Sequence, residues 1–190
     1  GTITRGKPAL THVEGLDGSD GKTVAGLAAS LEKLSGHPLA QAVVRGAQDL
    51  GAGTVEVHEF LSVPGKGVAG TIDGRRVALG NEKLMEDEGV SFSRASARSK
   101  ALREEGQTVM LLSVGGELAG LLGVSDPIKP TSFEAIAALH RLGIRVAMLT
   151  GDSASTARSV AGRLGIDEVF AEVLPAQKES IVRRLQEEGR

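Results

Sequence analysis

The chain has 190 residues, 41 % hydrophobic and 24 % charged, with 22 basic against 24 acidic side chains and a net charge of −2. No stretch approaches the roughly 20 apolar residues that cross a bilayer, the charges are too evenly mixed for a nucleic-acid-binding face, and no cysteine is present to form disulfides, thiolate metal sites or a thiol nucleophile. Four Phe with neither Trp nor Tyr, beside 26 Gly, mean that a planar ligand is held mostly by backbone and aliphatic groups, and with no export signal a cytosolic location is expected.

In chain order, apolar residues at helical spacing predict helices over Thr23–Leu34 and Pro38–Leu50, the second opened by Pro38 and closed by Gly51. Short strands follow at Val55–Leu61, Val68–Ile72, Arg76–Leu79, Val109–Val114 and Leu118–Val124. Asp73-Gly74 and Gly115-Gly116 sit between strand-like runs and favour tight hairpin turns, because these residues accept positive φ at little cost. Two more helices fit Asn81–Glu88 and Arg94–Glu105. This is an α+β pattern around an antiparallel sheet. After Asp126-Pro127 the style changes: a helix opened by Pro130 and ended by Gly143, a strand over Arg145–Thr150, a helix from Ala154 to Gly165, a strand over Val169–Val173 and a helix from Pro175 to Glu188. Alternating helices and strands predict a parallel α/β sheet for this half, and hence two structural units.

Within the second half, Leu149-Thr150-Gly151-Asp152 lies at the carboxyl end of a predicted parallel strand, where open α/β sheets bind ligands. A hydroxyl, a pliant backbone and a carboxylate before a helix N-terminus suit a phosphoryl group, although Asp152 or Ser153 as a plain helix cap explains the string equally well. Asp126 and Lys178 also fall at a strand end and a helix start, so Asp126, Thr150, Asp152 and Lys178 are expected on one edge of one sheet; a lone Lys in such a place is otherwise a solvated charge. In the first half, His37-Pro38-Leu39-Ala40 with Glu32 upstream holds an imidazole near a helix start, against the plainer reading of a surface histidine. Gly65-Lys66-Gly67-Val68-Ala69-Gly70 matches G-x-G-x-x-G as a string but precedes a hairpin, so the dinucleotide-fold context fails; its glycines admit a ligand to the backbone or simply make a tight turn. Gly80-Asn81 reads as a ligand contact or a helix N-cap.

Taken in order, Glu32 with His37-Pro38-Leu39-Ala40, Gly65-x-Gly67, Gly80-Asn81, Asp126-Pro-Ile-Lys-Pro130, Thr150-Gly151-Asp152, and Leu174-Pro175 with Lys178 resemble the heavy-metal-transporting P-type ATPases, the copper-exporting branch above all. The resemblance covers essentially the whole chain. It implies a partial haloacid-dehalogenase-like parallel sheet carrying an inserted α+β nucleotide-binding domain, with residues 1–10 and 123–190 in the phosphorylation domain and 11–122 in the insert. Gly1-Thr2-Ile3-Thr4 resembles the end of D-K-T-G-T-x-T, so the acceptor aspartate is expected just before Gly1 and the G-D-G-x-N-D magnesium loop just past Arg190. By the same resemblance, Glu32, His37, Gly65, Gly67, Gly80 and Asn81 would contact ATP, with His37 orienting it. Thr150, Gly151, Asp152 and Lys178 would surround the transferred phosphoryl group, supported by Thr2 and Asp126.

ATP and Mg2+ are the implied ligands, and the implied partners are the membrane, actuator and possible metal-binding domains of a parent pump, in whose cytoplasmic portion the chain would lie; nucleic acid is not among them. Copper members commonly carry Glu before the His-Pro pair, where Gly36 stands here. That departure leaves a zinc, cadmium or cobalt pump open, as the residues alone leave a free-standing phosphatase or a nucleotide-sensing module.

Overall fold

A computed structural model describes residues 2–151, 154–173 and 175–187. They form two compact units, one of residues 2–102 with 107–127, the other of 103–106 with 128–187.

The first unit is built on six antiparallel strands: β1 (Ala9–Gly15), β2 (His58–Val63), β3 (Gly67–Ile72), β4 (Arg75–Gly80), β5 (Thr108–Val114) and β6 (Glu117–Ser125), in the order β1-β6-β5-β4-β3-β2. Strand side chains alternate between faces, and the two halves of the core follow that alternation. Val68, Val77, Leu79, Met110, Leu112, Leu122 and Val124 face α1 (Gly21–Glu32) and α2 (Ala40–Asp49). Ala69, Ala78, Leu111 and Leu121 face α3 (Glu82–Asp87) and α4 (Ser93–Glu104), packing with Leu84, Met85 and Leu102. Large-to-small truncation of such residues costs about 2–5 kcal/mol. Helix α1 starts where Asp20 accepts the Thr23 N–H at 2.8 Å; its Val24, Ala28 and Leu31 join the sheet core, while Ala25 and Ala29 pack with Ala47 of α2 and Ala52.

Asp73-Gly74 is the two-residue turn between β3 and β4, with φ of 48° and 72°. Positive φ at both central residues is the type I′ pattern that suits strand twist, and Gly115-Gly116 closes β5 onto β6 in the same way.

One strand was not expected and another is displaced. The segment before α1 forms β1, paired along β6. A bulge between Leu10 and His12 lets Leu10 and Val13, three apart, both pack on the core, so the period-two signal of a strand is erased. The strand expected at Val55–Leu61 runs instead from His58 to Val63, the residues that pair with β3 between Thr71 and Gly67, with a slip between His58 and Leu61 where Glu59 adopts φ 48°. Strand β6 runs to Ser125, one residue past the strand expected at Leu118–Val124.

In the second unit α5 (Pro130–Arg141) has Pro130 in its first turn, where a missing N–H costs nothing. Strands β7 (Ala147–Leu149) and β8 (Glu168–Phe170) pair in parallel and are joined through α6 (Ala154–Leu164); α7 (Pro175–Glu187) follows. Both strands are shorter than expected. The Asp167 carboxylate accepts the Val146 N–H at 2.7 Å and lies 3.0 Å from His140 Nε2, tying the α5 end to the start of β8. Among the described residues no helix is long and apolar enough to cross a membrane.

Candidate functional site

A cleft of about 390 Å³ opens in the first unit, lined from the end of α1, the 33–39 connection, the β2–β3 turn, the end of β4 and the start of β5. Glu32, His37, Gly65, Gly67, Gly80 and Asn81 all line it. These six residues are spread over 50 positions of sequence and come from four different segments. The remaining lining is mainly aliphatic, including Leu39, Val63, Val68, Leu79, Val109 and Met110. Among the described residues that line it, the His37 imidazole is the sole aromatic ring.

The glycines are there because backbone meets backbone. A Cβ on Gly67 would stand 2.2 Å from the Leu79 carbonyl oxygen, and one on Gly80 would stand 2.2 Å from that of Lys66. Gly67 also has φ 150°, which side chains disfavour. Asn81 locks this crossing three ways: its N–H donates to the Lys66 carbonyl at 2.9 Å, its Nδ2 to the Gly65 carbonyl at 2.9 Å, and its Oδ1 accepts the Leu84 N–H at 3.2 Å as the cap of α3. Ligand contact and N-cap, posed as alternatives, are therefore compatible at Asn81.

Glu32 is 5 % exposed at the last turn of α1, and its Oε2 is buried without a hydrogen-bond partner. Burial pushes its carboxyl above the ordinary value, with Ser35 and His37 acting in the opposite sense. An unpaired carboxylate oxygen in an apolar cleft is a place for a donor. His37 is exposed, and its Nδ1 accepts the Leu39 N–H at 3.2 Å. The neutral ring therefore carries its proton on Nε2, the nitrogen that can meet a ligand.

The second set of residues is placed differently. Asp126 follows β6, a strand of the six-stranded sheet, while Thr150 follows β7 of the two-stranded one. Asp126 and Thr150, expected on one edge of one sheet, thus follow strands of two different sheets. Strand β6 pairs antiparallel with β1 and β5, whereas β7, reached through α5, pairs in parallel with β8. Asp126 accepts the Gly6 and Lys7 N–H groups at 3.1 and 3.2 Å, clamping the segment that follows Thr2, itself exposed. Thr150 is half-buried, its N–H donating to the Phe170 carbonyl at 2.9 Å and its carbonyl accepting from Val173 at 3.0 Å. Gly151 is exposed, and Lys178 is exposed in the first turn of α7. Asp152 and Ser153 lie outside the described residues; at the adjacent start of α6 the Ala154 N–H meets Glu172 Oε1 at 3.3 Å. Among the described residues no three His, Asp or Glu side chains converge into a site that would hold Mg2+ unaided.

Sequence reasoning passed over Lys66, Thr108 and Met110 as lining residues. Met110 was open to inference, since alternation along β5 sets it on the same face as Leu112.

The whole chain, residues 1–190, matches the family model of haloacid dehalogenase-like hydrolases. It is 47 % identical over 189 residues to a copper-transporting P-type ATPase of Rhizobium leguminosarum bv. viciae, all of this chain and 22 % of that protein, and 41 % identical to a silver exporting P-type ATPase of Salmonella typhimurium, again all of this chain and 23 % of that protein. The chain thus spans less than a quarter of the length of these relatives. Among solved structures, a zinc-transporting PIB-type ATPase in its E2.Pi state matches with a TM-score of 0.88 and 29 % identity over 98 % of this chain and 30 % of that one. The chain belongs to the haloacid dehalogenase-like hydrolases, and along its whole length it is similar to a part of heavy-metal P-type ATPases.

Proposed function

We propose that the cleft of the first unit binds ATP, and that the chain is the nucleotide-binding part and most of the phosphorylation part of a heavy-metal export pump, residues 11–122 forming the former and 1–10 with 123–190 pieces of the latter. The observation that carries this reading is the convergence of Glu32, His37, Gly65, Gly67, Gly80 and Asn81 on one aliphatic cleft with a buried, unpaired carboxylate oxygen. Adenine suits that chemistry. Its flat faces lie against aliphatic side chains, its exocyclic amino group donates to Glu32 Oε2, and the Nε2–H of His37 supplies a directional contact at the rim. The Gly65–Gly67 and Gly80–Asn81 backbones, bare of side chains, let the rest of the nucleotide approach closely.

In the second unit, Thr150, Gly151, Asp152 and Lys178 would receive the transferred phosphoryl group, the Lys178 ammonium offsetting charge on its oxygens. Asp126 and Thr2 would support that pocket. The acceptor would be a carboxylate of the parent protein, and the aspartyl-phosphate would drive membrane helices through the actuator domain. The chain would then lie on the cytoplasmic side of a membrane protein. Copper(I) is the favoured cargo, on the copper-transporting relative at 47 % identity; the zinc-transporting structural neighbour makes zinc the second reading.

Titration calorimetry of the 190-residue chain tests the site directly. ATP and ADP should bind, and His37→Ala should weaken both. Absence of binding to either nucleotide overturns the proposal.

A further inference from the structure

A nucleoside triphosphate brings several negative charges, and Glu32, the acidic side chain of the cleft, offsets none of them. Among the residues that line it, Lys66 is the only Lys or Arg. In this structure its ammonium is engaged elsewhere: Nζ lies 2.5 Å from Oδ2 of Asp87, a residue of the α3 end that is not part of the lining. Both side chains are partly solvated, 34 % and 51 % exposed. The backbone beneath is fixed, since the Lys66 N–H donates to Val63 at 3.0 Å and its carbonyl accepts from Asn81 at 2.9 Å. Only the side chain is free to swing, and the pair that restrains it is of the weak, screened kind.

We propose that Lys66 positions the phosphate chain of the bound nucleotide, and that Asp87 is its counter-ion in the ligand-free chain, so that binding exchanges the Asp87 carboxylate for a phosphate oxygen. This rests on the reading of the cleft as a nucleotide site. The cleft then has a polarity: the base lies toward buried Glu32 and the phosphates toward the β2–β3 turn. Asp87 sets the affinity, because every nucleotide must compete with it for the same ammonium. No covalent step is involved.

The test is calorimetric titration of the 190-residue chain with ATP and, separately, adenosine. Lys66→Met should weaken ATP by about three- to tenfold, the range of one charge-assisted contact in a solvated site, and leave adenosine unchanged. Lys66→Arg should retain most of the ATP affinity. Asp87→Asn should tighten ATP, steepen its loss of affinity with added salt, and have no effect once Lys66→Met is present. Equal losses for ATP and adenosine in Lys66→Met, unchanged ATP binding, or an Asp87→Asn effect that persists without Lys66 would each overturn the proposal while leaving the nucleotide site standing. Binding of neither ATP nor adenosine to the unaltered chain would remove the site itself and this role with it. Thermal melts separate these results from misfolding, with Lys66→Gln as the second variant.

Discussion

Nδ1 of His37 accepts the backbone N–H of Leu39 at 3.2 Å, just before α2 begins at Ala40. This bond fixes both the ring and its tautomer, leaving Nε2–H for a ligand. Because the ring is exposed, His37→Ala should change unfolding free energy by no more than about 0.5 kcal/mol. ATP affinity should fall by roughly tenfold, the loss of one hydrogen bond and its ring contact. Chemical denaturation and calorimetry on the same preparation check the two halves.

Glu32 gives a pH-dependent expectation. Burial raises its folded-state pKa above the ordinary 4.5, so the folded chain holds a proton that the unfolded chain has already released. Its stabilising contribution is complete below that ordinary value and is lost as pH rises through the raised one. Glu32→Gln, which keeps the shape without the charge, should therefore be at least as stable as the unaltered chain at neutral pH. Its advantage should grow as pH rises from the ordinary 4.5 through the raised value and then level off. Urea unfolding across that range is the measurement. A constant difference between the two proteins at all pH values would contradict it.

Gly67→Ala puts a methyl group 2.2 Å from the Leu79 carbonyl oxygen at a backbone φ of 150°. Relief requires the β2–β3 turn to lift away from β4, which breaks the Asn81 bonds to residues 65 and 66. We expect a cost of roughly 2 kcal/mol or more, with a parallel loss of ATP binding. A melting curve and titration calorimetry would expose a variant that keeps both properties.

Asp167 in the second unit works in the opposite sense from Glu32. The Val146 N–H, first, and His140 hold its carboxyl below the ordinary 3.8. Its contribution is present above that ordinary value and disappears as pH falls through the lowered one. Asp167→Ala should lower the unfolding midpoint of this unit at neutral pH, and the gap to the unaltered chain should narrow in acid below that value. Unfolding followed by circular dichroism at several pH values reads the gap.

Much of the fold was legible because its signals are local. Helical spacing marks α1, α2, α5 and α6; paired positive-φ residues mark Asp73-Gly74 and Gly115-Gly116; strand alternation separates Leu112 from Leu111. The order of short motifs sufficed for the family, since it needs residue types and spacings only.

Tertiary structure decided the rest. Strand β1 exists because Ala9–Gly15 finds β6 more than a hundred residues away, and its bulge hides the alternation that would have announced it. Glu32 is special because α1 buries it, and burial of one carboxylate has no signature in the residues beside it. Asp126 and Thr150 belong to different sheets because strand pairing, not motif spacing, assigns a strand to its neighbours. Lys66 lines the cleft yet rests on Asp87, a contact between a turn and a helix end that only the packing of α3 against β4 brings within reach. Periodicity and turn chemistry act over a few residues, so the sequence alone determined elements and motifs; charge pairing and burial act through space, so the convergence of those motifs into one cleft was left to the fold.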